Sequence, residues 1–294
     1  MFKKRKTASE IPFTRDMLPH NRKQLWLDVV KLHYLQLVIM GSVLFVFAVP
    51  MIMNMLATDV YIAGLSVDSK EQYTAVLQTS ASVQVTSALV AIPLLMIFAV
   101  GLSGLLRVCR QYAWGEVVTI SRDFALGIKQ NAVQTVGLLF LFGVVYAACM
   151  YLNSLAVINP ASTMQSVLAA SVMIAVLFLL PIGAYMLVCL SVYNNTFWQN
   201  FVQSFVLYMK APVKTLGGIF CFCGLFALYL IPNSAMRFSL TVVLLLGGPF
   251  LLLGWFLFAY NQLDRFVNAD KHPALVNKGL YLEGDEPDAE DEDL

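Results

Sequence analysis

The sequence predicts an all-α polytopic membrane protein with six transmembrane helices, and three observations carry that prediction. Hydrophobic residues make up 59% of the 294 and charged residues 13%, about half the charged share of a soluble domain. That is too few charges to cover a soluble fold. The apolar residues gather into six runs, roughly 34–56, 76–106, 133–152, 167–190, 216–232 and 238–260. Each is long enough to cross about 30 Å of hydrocarbon at about 1.5 Å per residue, the fifth only just. The runs are continuously apolar rather than alternating, which selects helices over a barrel.

The third observation is charge placement. The segments 1–33, 107–131, 191–215 and 261–294 fall on one side of the membrane and hold 17 of the 19 basic residues, leaving Lys70 and Arg237 opposite. This asymmetry predicts cytoplasmic N- and C-termini in a multi-pass cell-membrane protein. All four tryptophans (Trp26, Trp114, Trp198, Trp255) fall near the cytoplasmic ends of spans, as interfacial anchors do. The chain divides into a basic N-terminus with an amphipathic lead-in (1–33), a membrane domain (34–260) and an acidic tail (261–294) whose end is expected to be disordered.

In chain order, Lys3, Lys4, Arg5 and Lys6 are followed by about 25 residues without an apolar run, so the first span reads as an anchor rather than a cleaved signal. Residues 20–32 set Leu25, Val29 and Leu32 on one helical face. This lead-in fits the headgroup layer or a plain juxtamembrane helix. Span two, at about 30 residues, must tilt, kink or project from the bilayer, and Pro93 offers a kink. Its Ser80, Gln84 and Ser87 form a stripe that either lines a polar cavity or bonds to neighbouring helices.

The two longer cytoplasmic loops each carry an apolar helical face: Val117, Ile120, Phe124 and Ile128 in the first, and Trp198, Phe201 or Val202, Phe205 and Met209 in the second. Thr196 and Gln199 have capping-box spacing. Such helices lie in the membrane interface or dock a cytoplasmic partner. At an offset of 81 residues, 121–143 aligns with 202–224, matching Phe124 with Phe205 and Lys129 with Lys210. Both copies enter from the same side, so the hairpins read as a parallel repeat, with chance similarity of two apolar hairpins the alternative. The two phenylalanines are then expected in equivalent roles, each with its lysine near the headgroups. Pro50 and Pro181 read as packing kinks, and Gly247-Gly248-Pro249 as a break in span six, for packing or for a substrate path.

Much chemistry is missing. No Asp, Glu, Lys or Arg lies between Lys129 and Lys210, between Glu71 and Arg107, between Lys214 and Arg237, or between Arg237 and Asp264. Proton-coupled carriers place ionisable groups at membrane depth, so ion coupling is disfavoured. His20, His33 and His272 sit at or beyond the membrane boundary, and no Walker A, GxGxxG or HExxH motif occurs. No catalytic set, cofactor or metal site is expected. Cys221 and Cys223 read as small packing residues rather than soft-metal ligands. A net charge of +1 excludes nucleic-acid binding through bulk charge.

The run LPHNRKQLWLDVVKL (18–32) with the following FAVP (47–50), the loop 105–131 and YMKAPVKTL (208–216) resemble the YesL-like family of bacterial integral membrane proteins. The resemblance implies six spans and an accessory role beside carbohydrate-uptake systems. It brings no catalytic residues. The functional expectation is therefore a non-enzymatic accessory or assembly subunit of a carbohydrate transport system. It would contact the bilayer and permease or ATPase subunits through the two loop helices. The alternative is a carrier or channel for a small neutral solute, passing Ser80, Gln84 and the Gly247–Pro249 break.

Overall fold

The computed structural model describes residues 19–65, 70–158, 162–224 and 234–281. All regular structure among them is helical: α1 (Arg22–Ala63), α2 (Lys70–Ala113), α3 (Ile120–Ile158), α4 (Ser162–Ile174), α5 (Leu180–Val192), α6 (Phe197–Lys210), α7 (Pro212–Cys223), α8 (Ser234–Leu263) and the short α9 (Ala269–Lys271). Four stretches are long and apolar enough to cross a membrane: Arg22–Ala63, Gln72–Ala113, Ile120–Ile158 and Thr163–Val192. Two bent pairs raise the number to six if each is one span: Phe197–Lys210 with Pro212–Phe222, bent by 102°, and Ala235–Val243 with Leu246–Lys271, bent by 56°. Part of the fifth expected span, 225–232, lies outside the described residues, as does the acidic stretch beyond Tyr281.

Local chemistry explains the helix boundaries. Asn21 caps α1 by accepting from the Gln24 N–H at 2.8 Å. The backbone leaves helical geometry at His33 (φ −121°, ψ 20°), between the lead-in and the first apolar run. Leu25 and Val29 join the core. Leu32, expected beside them, is exposed, because it borders an open groove with His33, Gln36 and Tyr112. Thr196 and Gln199 form the reciprocal capping box at the start of α6. The fourth span passes through a π-helical turn at Ala175–Leu179. Pro181 has no N–H to give the Leu177 carbonyl; the Tyr208 hydroxyl of α6 donates to it instead, at 2.6 Å.

α2 and α3 form an antiparallel hairpin that closes tightly at Gly104 and Gly127. A Cβ on Gly127 would stand 2.9 Å from the Gly104 Cα, so side chains there would part the helices. The larger buried side chains, among them Leu37, Met40, Leu105, Tyr185, Leu253 and Phe256, lie in the half of the bundle that carries both described chain ends. We call this the terminal half. In the far half the buried apolar residues are mostly alanines: Ala48, Ala81, Ala88, Ala91, Ala147 and Ala156.

A polar cluster locks the terminal half. Arg22 donates to Asp264 at 2.9 Å and to the carbonyls of Ala113 and Lys278, each at 2.8 Å, and its guanidinium lies 4.5 Å from the Tyr260 ring centroid. A second π-helical turn, Asp264–Asn268, lets the Asn268 amide donate to Asp264 at 2.7 Å while its oxygen accepts from the Tyr193 hydroxyl. Burial pushes the Tyr193 phenol up from the ordinary tyrosine range, which keeps it a neutral donor. The strap 272–281 then crosses the α2–α3 turn. Gly279 (φ +85°) is required there, since a Cβ would meet the Ala113 carbonyl at 2.5 Å. The Tyr281 N–H donates to the Pro19 carbonyl at 3.0 Å, which sets the two described ends side by side.

Candidate functional site

The far half holds a cavity of about 570 Å³ between α1, α2, α3 and α8. Helical spacing puts Asn54, Thr58 and Ile62 on one face of α1, and Gln84, Ser87 and Ala91 on one face of α2. Both faces line the space, with Tyr146 of α3 and Arg237 of α8. Pro50 precedes the lining residue Met51, and Pro93 falls between Ala91 and Leu95, which also line the space. Each removes a helical donor, to the Val46 and Leu89 carbonyls respectively, and so loosens α1 and α2 beside the cavity.

The polar groups converge. The Asn54 amide donates to the Ser87 carbonyl at 3.1 Å and to the Ser87 hydroxyl at 3.0 Å, and the Thr58 hydroxyl meets the Ser87 hydroxyl at 2.8 Å. Thr58 also donates to the Asn54 carbonyl at 2.8 Å. Next to Thr58 on α1, the Asp59 carboxylate accepts from Arg237 Nη1 at 3.1 and 3.3 Å. The side chains of this ion pair remain 18% (Asp59) and 26% (Arg237) exposed, so both charges border the space. The remaining lining is apolar, from Met51, Met55, Leu95 and Met150. A mostly apolar cavity with a few converging hydroxyl and amide groups is the usual form of a small-molecule site, and its volume falls in the usual range of roughly 300–1,000 Å³. Among the described residues no group of His, Cys, Asp and Glu side chains is placed to hold a metal ion.

The residues singled out from sequence are dispersed. Gln84 and Ser87 line the cavity, whereas Ser80 donates to the Leu77 carbonyl of its own helix. Gly247 and Gly248 lie in α8 with open space where their Cβ atoms would be, and Pro249 is buried. This break is not among the residues that line the cavity. Phe124 lies over Gly104 and near Phe47, at 6.2 Å between ring centroids, packed against the core. Phe205 is 42% exposed. The two phenylalanines, expected in equivalent roles, thus differ in packing. α3 runs unbroken through Phe124 into its apolar run, while α6 breaks from α7 by 102°, so the aligned residues meet different neighbours. Lys129 is exposed, and Lys210 reaches the Phe266 carbonyl at 3.5 Å. Val117, expected on the first loop helix, precedes it and is exposed. Cys221 is exposed.

Sequence reading missed Asn54, Thr58, Tyr146 and Asp59, the partner of Arg237. A signal was present: Asn54, Thr58 and Asp59 are polar groups within about one turn of each other at the end of the first apolar run. Arg237 was already isolated on the side poor in basic residues.

Comparison with protein families, curated proteins and solved structures finds no match to this chain.

Proposed function

We propose that this chain is a non-enzymatic, multi-pass membrane protein that binds a small neutral polar solute, of the sugar or polyol class, in the cavity between α1, α2, α3 and α8. In this reading the six apolar segments all cross the cell membrane, both termini are cytoplasmic, and the cavity is reached from the opposite side. One observation carries the proposal: Asn54, Thr58, Gln84 and Ser87 converge on a space of about 570 Å³ inside an apolar helical bundle. Hydroxyl and amide pairs there suit a ligand that both donates and accepts. The Asp59–Arg237 pair offers each of its charges a neighbour of opposite sign and leaves little net charge for an ionic ligand to seek. Leu37, Met40, Leu105 and Leu106 are fully buried in the terminal half, which supports a binding site over an open pore.

The test is equilibrium binding of radiolabelled monosaccharides and polyols to the purified full-length protein, with Gln84→Ala and Asn54→Ala as variants. Saturable binding that weakens on the order of tenfold in each variant is expected for one lost hydrogen bond to a polar ligand. Absence of binding across the panel overturns the reading.

A second reading, an accessory subunit of a carbohydrate transport system, rests on the outward apolar face of α6, where Trp198, Val202, Phe205 and Met209 are exposed, and on the resemblance to the YesL-like family. Of the two loop helices proposed as docking elements, only α6 presents such a face. Co-purification of permease or ATPase subunits in mild detergent, lost on Phe205→Glu, is the outcome this reading expects.

A further inference from the structure

Helix α6 turns an apolar face outward. Trp198, Val202, Phe205, Val206 and Met209 point away from the bundle, while Asn200, Ser204, Leu207 and Tyr208 are buried against it. A helix bathed in water keeps its outward face polar. The break of 102° from α7 also turns α6 across the direction of the apolar helix that follows. With α7 entering the membrane, α6 runs along its surface with its apolar side toward the acyl chains.

Beside that face, a groove of about 530 Å³ separates α6 from the π-helical turn and α9. It is lined by Val202, Val206 and Phe266 and by the basic Lys210, Lys271 and His272. Asp270 is the acidic residue of the lining. The Lys210 ammonium stands 5.4 Å from the Phe266 ring centroid, and the His272 ring packs 5.1 Å from that of Tyr193. The groove thus combines an apolar strip, Val202, Val206, Phe266 and Val267, with the amides of Asn195, Gln199 and Gln203 and two exposed ammonium groups.

We propose that this groove seats an anionic phospholipid. Its phosphate lies between Lys210 and Lys271, and an acyl chain runs along Val202, Val206 and Phe266. Ammonium groups beside an apolar strip match an anion that carries its own hydrocarbon, and the cytoplasmic leaflet supplies such lipids. The proposal uses the membrane reading of the chain and is independent of what the far cavity binds. The eight acidic residues within 283–293 and a protein partner are competing occupants that the same experiment separates.

Trp198 lines the groove and reports on it. The full-length protein is reconstituted in bilayers containing brominated phosphatidylglycerol or brominated phosphatidylcholine at equal mole fraction. The Trp198 emission is isolated by difference from Trp198→Phe. Brominated phosphatidylglycerol should quench it about twofold more than brominated phosphatidylcholine. That preference should vanish in Lys210→Gln/Lys271→Gln and shrink in each single variant, with helix content by circular dichroism unchanged. Inorganic phosphate in solution should not compete. Equal quenching by the two lipids overturns the proposal, as does a preference that survives the double substitution. A preference that appears only after the tail acids are replaced by Asn and Gln gives the groove to the tail. Absence of quenching by either lipid gives the face to a protein partner, and displacement by inorganic phosphate gives the groove to a soluble phosphate compound. Each of these three also overturns it.

Discussion

Among the described residues the terminal half holds two Arg–Asp pairs, Arg22–Asp264 and the looser Arg107–Asp123 at 3.9 Å, and the far half holds Asp59–Arg237; the tightest pair of each half is built differently. In the terminal half, Arg22 and Asp264 are sealed, with side-chain exposures of 7% and 8%, and the arginine also reaches two backbone carbonyls and an aromatic face. In the far half, Asp59 and Arg237 border a cavity and keep part of their surface open. The surroundings differ in the same sense: large side chains fill the terminal half, and alanines are the common buried apolar residues of the far half. A pair closed in by large side chains is fixed by its neighbours and holds elements together. A pair beside unfilled space can take part in binding. We therefore assign architecture to the first and function to the second.

That assignment makes graded predictions. Replacing Arg22 by Ala leaves the Asp264 charge buried without its partner and should cost about 3–5 kcal/mol, read as loss of folded protein in thermal unfolding in detergent. The paired replacement Arg22→Met/Asp264→Leu should recover much of that loss, since removing both charges removes the stranded one. Next in size is Gly279→Ala. The new Cβ would meet the Ala113 carbonyl at 2.5 Å with the backbone at φ +85°, a strain of about 1–3 kcal/mol. It should free the strap 272–281 to proteolysis while the membrane helices stay protected. Tyr208→Phe removes the donor to the Leu177 carbonyl and should cost about 1 kcal/mol, measured as a lowered unfolding temperature. Smallest is Asp59→Asn. The pair is partly open to its surroundings, so stability should change by no more than about 1 kcal/mol. A loss at Asp59 as large as that at Arg22 would erase the contrast between the two halves.

How much of this was legible in the sequence follows from the same physics. Apolar runs and caps are local, so the long helices, the boundary near His33 and the Thr196–Gln199 capping box could be read directly. The stripe of Gln84 and Ser87 was visible, yet whether it met a cavity or a helix depended on Asn54 and Thr58, which lie about 30 residues earlier in the chain. Asp59 and Arg237 are 178 residues apart, and no local pattern pairs them. Lipid removes the usual guide to packing, because a residue facing acyl chains is as apolar as one facing the core. That is why Phe124 and Phe205 looked alike in sequence and differ in the fold. It is also why three of the expected interfacial tryptophans turn inward, where Trp26, Trp114 and Trp255 donate to Phe250, Tyr260 and Ala184 respectively.

The most direct test of the contrast is side-specific thiol labelling of Gln84→Cys and Asn268→Cys in oriented membranes, each read as the increment over the parent chain. We expect a membrane-impermeant reagent to modify Gln84→Cys from the side opposite the termini, and a bound sugar or polyol to slow that reaction. Asn268→Cys, inside the sealed cluster, should stay unmodified from either side. Failure of Gln84→Cys to react from that side, or equal reactivity of Asn268→Cys, would contradict the division into a lock and a binding cavity.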